Sequence, residues 1–129
     1  MGTELGILGL YGILVIGLVV VQVMVAIPNV GMGYMLGARE EGRAFTGLAG
    51  RLDRAVVNCV FGMALFAPAV LILHAKGSLP LPEALLAAQL FLIARIVYII
   101  SYAASIPVVR TLAFVTATLA TVYLYTLGL

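Results

Sequence analysis

Apolar residues along this chain fall into four long runs separated by short polar stretches. The runs cover residues 5–36, 55–73, 84–104 and 111–129. A helix needs about 20 mostly apolar residues to cross the hydrocarbon core of a bilayer. Strands of a membrane β-barrel would instead alternate over about ten residues. The pattern therefore predicts an all-α integral membrane protein, with four transmembrane helices bundled into one domain over residues 1–129.

The first run is longer than a straight crossing requires. As one helix it would measure roughly 48 Å, against a hydrocarbon core of roughly 30 Å. Pro28 lies near its end and removes one backbone donor. We expect a long first helix, either straight and tilted or bent at Pro28.

Composition agrees with a membrane protein and excludes several functions. Hydrophobic residues make up 64% of the chain and charged residues 9%, whereas a soluble domain carries about 25% charged residues. The net charge is only +2 and the basic residues form no dense cluster, so we expect no nucleic-acid partner. Cys59 is the single cysteine. We expect it to be a small buried hydrophobe, with no internal disulfide and no metal site.

The distribution of Lys and Arg predicts the orientation. The first connection carries four arginines and the third ends in Arg110, whereas the second holds only Lys76. By the positive-inside rule, the first and third connections are cytoplasmic and both termini lie outside. The four arginines are Arg39, Arg43, Arg51 and Arg54.

Polar side chains from three predicted helices converge at the cytoplasmic level. Spacings of three and four residues place them on one face of each helix. One face of the second helix carries Arg51, Arg54 and Asn58, and one face of the third carries Arg95, Tyr98, Tyr102 and Ser105. The residues that reach the same cytoplasmic depth are Arg54, Asn58, Tyr98, Tyr102 and Arg110, which starts the fourth helix. Polar groups within a span are costly and usually face the protein interior or a wet cavity. The convergence predicts a cationic, hydrogen-bonding pocket for an anionic ligand.

Each residue also has a simpler structural interpretation. Arginines and tyrosines near span ends anchor helices at the lipid headgroups. Asn58 would also serve as an interhelical hydrogen-bonding group worth under about 1 kcal/mol. Arg95 lies about 16 Å into its span, where an arginine costs roughly 2.5–3.5 kcal/mol. No acid lies inside any run, so carbonyls, hydroxyls, waters or a ligand would have to be its partners. The sequence leaves open whether Arg95 is a structural clamp or part of the pocket.

Two stretches carry a family resemblance. The segment RLDRAVVNC, residues 51–59, resembles the start of the second helix in the MAPEG family, the membrane-associated proteins in eicosanoid and glutathione metabolism. The family signature there is Arg-Ala, two variable residues, Asn and, three residues later, Glu. The segment ARIVYIISYAASIPVVRT, residues 94–111, is similar to the family's junction of the third and fourth helices. The resemblance extends from about Arg39 to Phe114, and the segment GLAGRLDRA, residues 47–55, resembles short bacterial members.

The resemblance implies a homotrimer that binds glutathione as co-substrate between neighbouring subunits, at the cytoplasmic side. It implies that Arg110 activates the glutathione thiol, and Thr111 is a candidate for a hydroxyl beside the sulfur. The glutathione-contacting residues that match by position are Arg54, Asn58, Tyr98 and Tyr102, with a looser match at Arg39. Arg51 and Arg95 are further candidates for anion binding.

One position departs from the family signature. Phe61 stands where the family has Glu, which helps to hold the tripeptide.

The leading interpretation is a glutathione-dependent transferase or peroxidase acting on lipophilic electrophiles or hydroperoxides in the bacterial inner membrane. The alternative is a non-catalytic member that binds a lipid or small anion in the same pocket. A small multidrug-type exporter of cations would need a carboxylate inside the membrane, which the four runs lack.

Overall fold

The computed structural model describes residues 3–31, 46–77 and 81–129. Four α-helices make up nearly all of these ranges: α1 (Glu4–Val30), α2 (Gly47–Ala75), α3 (Pro82–Ala103) and α4 (Pro107–Gly128). All four are long and apolar enough to cross a membrane. The predicted all-helical class with four membrane-spanning helices is therefore confirmed. Assembly of several copies stays a prediction.

The helix ends differ from the ends of the apolar runs. α2 begins at Gly47, well before residue 55, with Thr46 in an extended conformation at its N-cap. Its first two turns therefore hold the polar residues that precede the apolar run. α1 continues through Pro28 and ends at Val30, and its C-cap residue Gly31 has a φ of 95°, which favours glycine. Residues 32–36 of the first run lie outside the described residues.

Neighbouring helices run in opposite directions. At one end of the bundle, the Asn29 side-chain amide donates to Thr46 Oγ1 at 2.8 Å, and the Thr46 N–H donates to Asn29 Oδ1 at 3.0 Å. These bonds join the end of α1 to the start of α2. At the other end, Glu4 Oε1 accepts from the backbone N–H of Leu81 at 3.4 Å. The starts of α1 and α3 therefore lie together, far from the α1–α2 connection.

The core of the bundle is aromatic. The rings of Phe66 and Phe91 stack at 4.0 Å between centres, and the edge of Tyr11 meets Phe91 at 4.9 Å. All three side chains are buried. The outward faces carry mainly exposed Leu, Ile and Val side chains, and helical hydrogen bonds pair the backbone groups except where Pro28 and Pro68 lack an N–H. This arrangement suits a hydrocarbon environment.

A tight turn joins α3 to α4. The Ile106 N–H donates to the Ser101 carbonyl at 2.8 Å, and Ser105 between them has a φ of 62°, which is the usual geometry of a left-handed helix end. Pro107 then begins α4, where its fixed φ suits a first helical turn. The spacing predicted that Ser105 continues the polar face of α3. It does not, because the helix has already ended at Ala103.

Candidate functional site

A small polar pocket of about 320 Å³ opens between α2, α3 and α4, close to the α3–α4 turn. Its lining residues are Asn58, Tyr98, Tyr102, Arg110, Thr111 and Phe114. Sequence analysis had named all of these as candidate site residues except Phe114. Phe114 follows Arg110 by four residues, so helical spacing from that arginine was the signal that could have found it.

Tyr102 lies between two arginines from different helices. The guanidinium carbon of Arg110 is 4.7 Å from the centre of the Tyr102 ring. Arg54 Nε donates to the Tyr102 hydroxyl at 3.0 Å, and its guanidinium carbon is 5.8 Å from the same ring. Each guanidinium has five N–H donors, and Arg54 uses one of them within the described residues. Two cations with donors to spare for an anion therefore flank Tyr102, and one of them, Arg110, lines the pocket itself.

Arg51 and Arg39 were both predicted as candidates for anion binding. Arg51 Nε donates to the Ala103 carbonyl at 3.1 Å, so it caps the last turn of α3 and does not line the polar pocket. A basic side chain at this place also complements the helix dipole. Arg39 lies outside the described residues.

Arg95 is almost completely buried, with 2% of its surface exposed. Its Nη2 donates to Asn58 Oδ1 at 2.7 Å and to Cys59 Sγ at 3.1 Å. Its guanidinium carbon lies 4.4 Å from the centre of the Tyr98 ring. The side-chain carbonyl of Asn58 is a partner of the expected kind, whereas the Cys59 thiol and the Tyr98 ring were not expected. Nε has no partner within the described part of the chain.

Cys59 is buried, as expected, but its surroundings are more polar than those of a residue that only fills space in the core. Its carbonyl accepts a hydrogen bond of 2.6 Å from the Tyr11 hydroxyl, which ties α1 to α2. Gly62 lies one turn further along α2, and a Cβ there would come within 2.8 Å of the Tyr11 hydroxyl oxygen. Gly62 therefore makes room for this interhelical bond.

A second, mostly apolar pocket of about 440 Å³ continues from the polar one towards the far end of the bundle. Asn58 and Phe114 line both pockets. Its walls include Leu65, Val122 and the exposed ring of Phe61, and the buried Arg95 also borders it. The two pockets together form a cavity that is cationic near the α3–α4 turn and mostly apolar further along the bundle. No group of three His, Cys, Asp or Glu side chains able to hold a metal lies within residues 3–31, 46–77 and 81–129.

Comparison with known families identifies the group of proteins to which this chain is related. The sequence model of the MAPEG family matches residues 5–129, which is essentially the whole chain. The chain belongs to the MAPEG family. The resemblance seen in the sequence is thus confirmed. A search of curated proteins and a search of solved structures each gave no match.

Family membership and the four apolar helices together make this MAPEG protein an integral membrane protein of the glutathione and eicosanoid metabolism family. Phe61, where the family signature has Glu, is 66% exposed on the outer side of α2. The departure from the signature therefore lies at the lateral edge of the site.

Proposed function

We propose that this MAPEG protein binds glutathione in the polar pocket and directs its thiolate at lipophilic electrophiles or hydroperoxides. The observation that carries the proposal is the pocket itself, where Arg110, Tyr102 and Asn58 meet from three helices. Glutathione offers two carboxylates, to which arginine donates paired hydrogen bonds. Tyrosine and asparagine add neutral donors beside those cations.

Arg110 is the group proposed to stabilise the thiolate. A free thiol with a pKa of roughly 8.5 is mostly protonated at pH 7, and a nearby cation lowers that pKa by favouring the charged form. Lowering it by two units corresponds to about 2.7 kcal/mol. Arg110 suits this role because it lines the pocket and its guanidinium presents a planar set of N–H donors.

Thr111 can offer the ligand a hydrogen-bond acceptor, but its hydroxyl proton is not free for donation. Its hydroxyl donates to the Pro107 carbonyl at 2.9 Å, so its single proton is already engaged. In this geometry the oxygen accepts a hydrogen bond and suits the protonated thiol. Donation to a thiolate would require the hydroxyl to rotate away from Pro107.

The reaction itself has two balanced forms. With an electrophile, the sulfur lone pair forms a bond to carbon while the leaving group departs with its electron pair, or an epoxide ring opens and its oxygen is protonated. With a hydroperoxide, the sulfur attacks the terminal oxygen, the O–O bond breaks and an alcohol leaves after protonation. A second glutathione then reduces the sulfenic acid to give the disulfide and water. The lipophilic partner would lie in the apolar pocket, which adjoins the polar one at Asn58 and Phe114.

A homotrimer is part of the proposal. The polar pocket is at the small end of the range for ligand sites, about 300–1,000 Å³, so a neighbouring copy would help to enclose the tripeptide. The outer face of α1 offers close packing at Gly9 and Gly17, since a Cβ at either position meets nothing within 4 Å. Small residues of this kind allow membrane helices to approach each other.

A non-catalytic function in lipid or anion binding is the second candidate. The exposed Phe61 ring favours it, because an apolar side chain stands at the edge of the site in place of a family carboxylate. A lipid with an anionic head would place its head near Arg54 and its chain against Phe61. Such a ligand needs no thiol and no activation by Arg110.

Glutathione binding and thiolate formation test the proposal directly. We expect the purified protein in mild detergent, mixed with millimolar glutathione, to show thiolate ultraviolet absorbance near neutral pH. Arg110→Ala should abolish this signal. Lys76→Ala is the matched control, because it removes a cation that bonds to the Gly128 carbonyl at the opposite end of the bundle. Neither binding nor thiolate in the wild-type protein would contradict the enzyme proposal and favour the anion-binding alternative.

A further inference from the structure

The contact between Arg95 and Asn58 fixes which way the Asn58 amide points. A guanidinium carries only donors, so the Asn58 atom that it meets at 2.7 Å must be the oxygen, Oδ1. The amide nitrogen, with its two hydrogens, is therefore turned away from Arg95. Asn58 lines both pockets, whereas Arg95 lines only the larger, mostly apolar one.

The amide nitrogen of Asn58 is free for a ligand. Within the described residues, no hydrogen-bond acceptor meets it, although the same side chain holds a short bond through its oxygen. Arg95 also lies behind a second pocket residue, since its guanidinium packs on the face of Tyr98. A buried cation thus supports two pocket side chains from behind.

Packing alone does not explain an arginine at this position. An apolar side chain of similar volume would fill the space between α2 and α3 without bringing a charge into the membrane. The charge meets no carboxylate within the described part of the chain; it lies against Asn58, Cys59 and the Tyr98 ring, close to Gly62 and the Tyr11 hydroxyl. What these contacts supply is a fixed orientation of Asn58.

We propose that Arg95 is a positioning residue that holds Asn58 as a hydrogen-bond donor towards the polar pocket. The pocket then selects a ligand that places an acceptor oxygen, from a carboxylate or a carbonyl group, beside the Asn58 amide. Without Arg95, the amide could turn and present its own oxygen, which would repel that acceptor. The inference rests on the proposed function in taking glutathione as the ligand.

A double-mutant cycle on glutathione affinity tests this role. We expect Asn58→Ala to weaken binding about ten- to a hundredfold, because one hydrogen bond to a charged group is lost. Arg95→Gln should weaken binding by a similar factor in the wild-type background and by almost nothing in the Asn58→Ala background. Equilibrium dialysis with radiolabelled glutathione measures all four proteins. Arg95→Lys, which keeps the charge, should restore part of the affinity.

Two outcomes of the cycle would overturn the inference. Additive effects would mean that Arg95 acts on the ligand or on the fold without Asn58. Unchanged affinity in Arg95→Gln would mean that the orientation of Asn58 does not matter. The melting temperature of each ligand-free variant separates loss of fold from loss of binding.

Asn58→Asp provides a second test if Arg95→Gln does not fold. The new carboxylate keeps the shape of the side chain and pairs with Arg95, so the fold should persist, but the donor is gone. We expect its glutathione affinity to be no better than that of Asn58→Ala, and wild-type affinity would overturn the inference.

If the wild-type protein binds no glutathione, the proposed function fails. The same cycle with dodecanoate, an anionic amphiphile, then decides the positioning role separately, and the absence of coupling or of binding there overturns it.

Discussion

At the scale of single residues, the two arginines around Tyr102 differ in ways that separate their roles. Arg54 is exposed and holds the Tyr102 hydroxyl, whereas Arg110 is half-buried and lies over the ring. We expect Arg54→Ala to weaken glutathione binding about ten- to a hundredfold, through loss of a charged hydrogen bond to a carboxylate. The thiolate signal at saturating glutathione should survive. Titration of that signal with glutathione measures both effects, and a lost signal at saturation would assign thiol activation to Arg54 as well.

Phe61 permits a test of the family carboxylate. We expect Phe61→Glu to tighten glutathione binding, because a carboxylate there can accept from the ammonium or amide groups of the tripeptide. Phe61→Gln is the matched control, since it has the same length and no charge. Isothermal titration calorimetry should rank the affinities as Glu, then Gln, then Phe. Equal affinities would show that the position does not meet the ligand.

At the scale of elements, the α3–α4 turn sets the distance between Tyr102 and Arg110. Ser105 holds this turn with a φ of 62°, a conformation that costs a side-chain-bearing residue roughly 1 kcal/mol or more relative to glycine. We expect Ser105→Gly to raise the free energy of unfolding by about 1 kcal/mol. Ala104→Gly is the control and should lower it, because Ala104 has a right-handed φ of −82°. Thermal melting in detergent compares the two variants, and a stabilised Ala104→Gly would contradict the argument.

The sequence alone predicted the presence of the helices better than it predicted their ends and the contacts between their side chains. Long apolar runs identify spans because a membrane demands them, so all four helices were predicted. Hydrophobicity does not mark where a helix ends in water, which is why the start of α2 at Gly47 was missed. Helical spacing brought Asn58, Tyr98 and Tyr102 to one depth. It could not show that Arg51 caps α3 or that Arg95 bonds to Cys59, because those contacts depend on how two helices pack.

At the scale of the whole molecule, the bundle has one end with Arg54 and Arg110 and another end with Glu4 and Lys76. The ammonium of Lys76 bonds to the carbonyl of Gly128, so the second connection and the end of α4 lie on the same side. Reporter fusions at Lys76 and at Leu129 must therefore agree, whatever the orientation. The positive-inside rule predicts that both report the outside. Disagreement between them would contradict the antiparallel bundle, and two cytoplasmic signals would reverse the membrane orientation.

Assembly gives the last prediction. Gly9 and Gly17 lie two helical turns apart on the exposed side of α1, where a partner helix could approach closely. We expect native mass spectrometry in mild detergent to find a homotrimer for the wild-type protein. Gly9→Leu combined with Gly17→Leu should shift the mass to smaller species without lowering the helical content, because neither new side chain meets an atom of its own chain within 4 Å of the Cβ. Leu119→Phe, on the exposed face of α4, is the control and should leave the trimer intact. A wild-type monomer or dimer would remove the site between subunits, and a trimer that survives both glycine substitutions would place the interface on another face of the bundle.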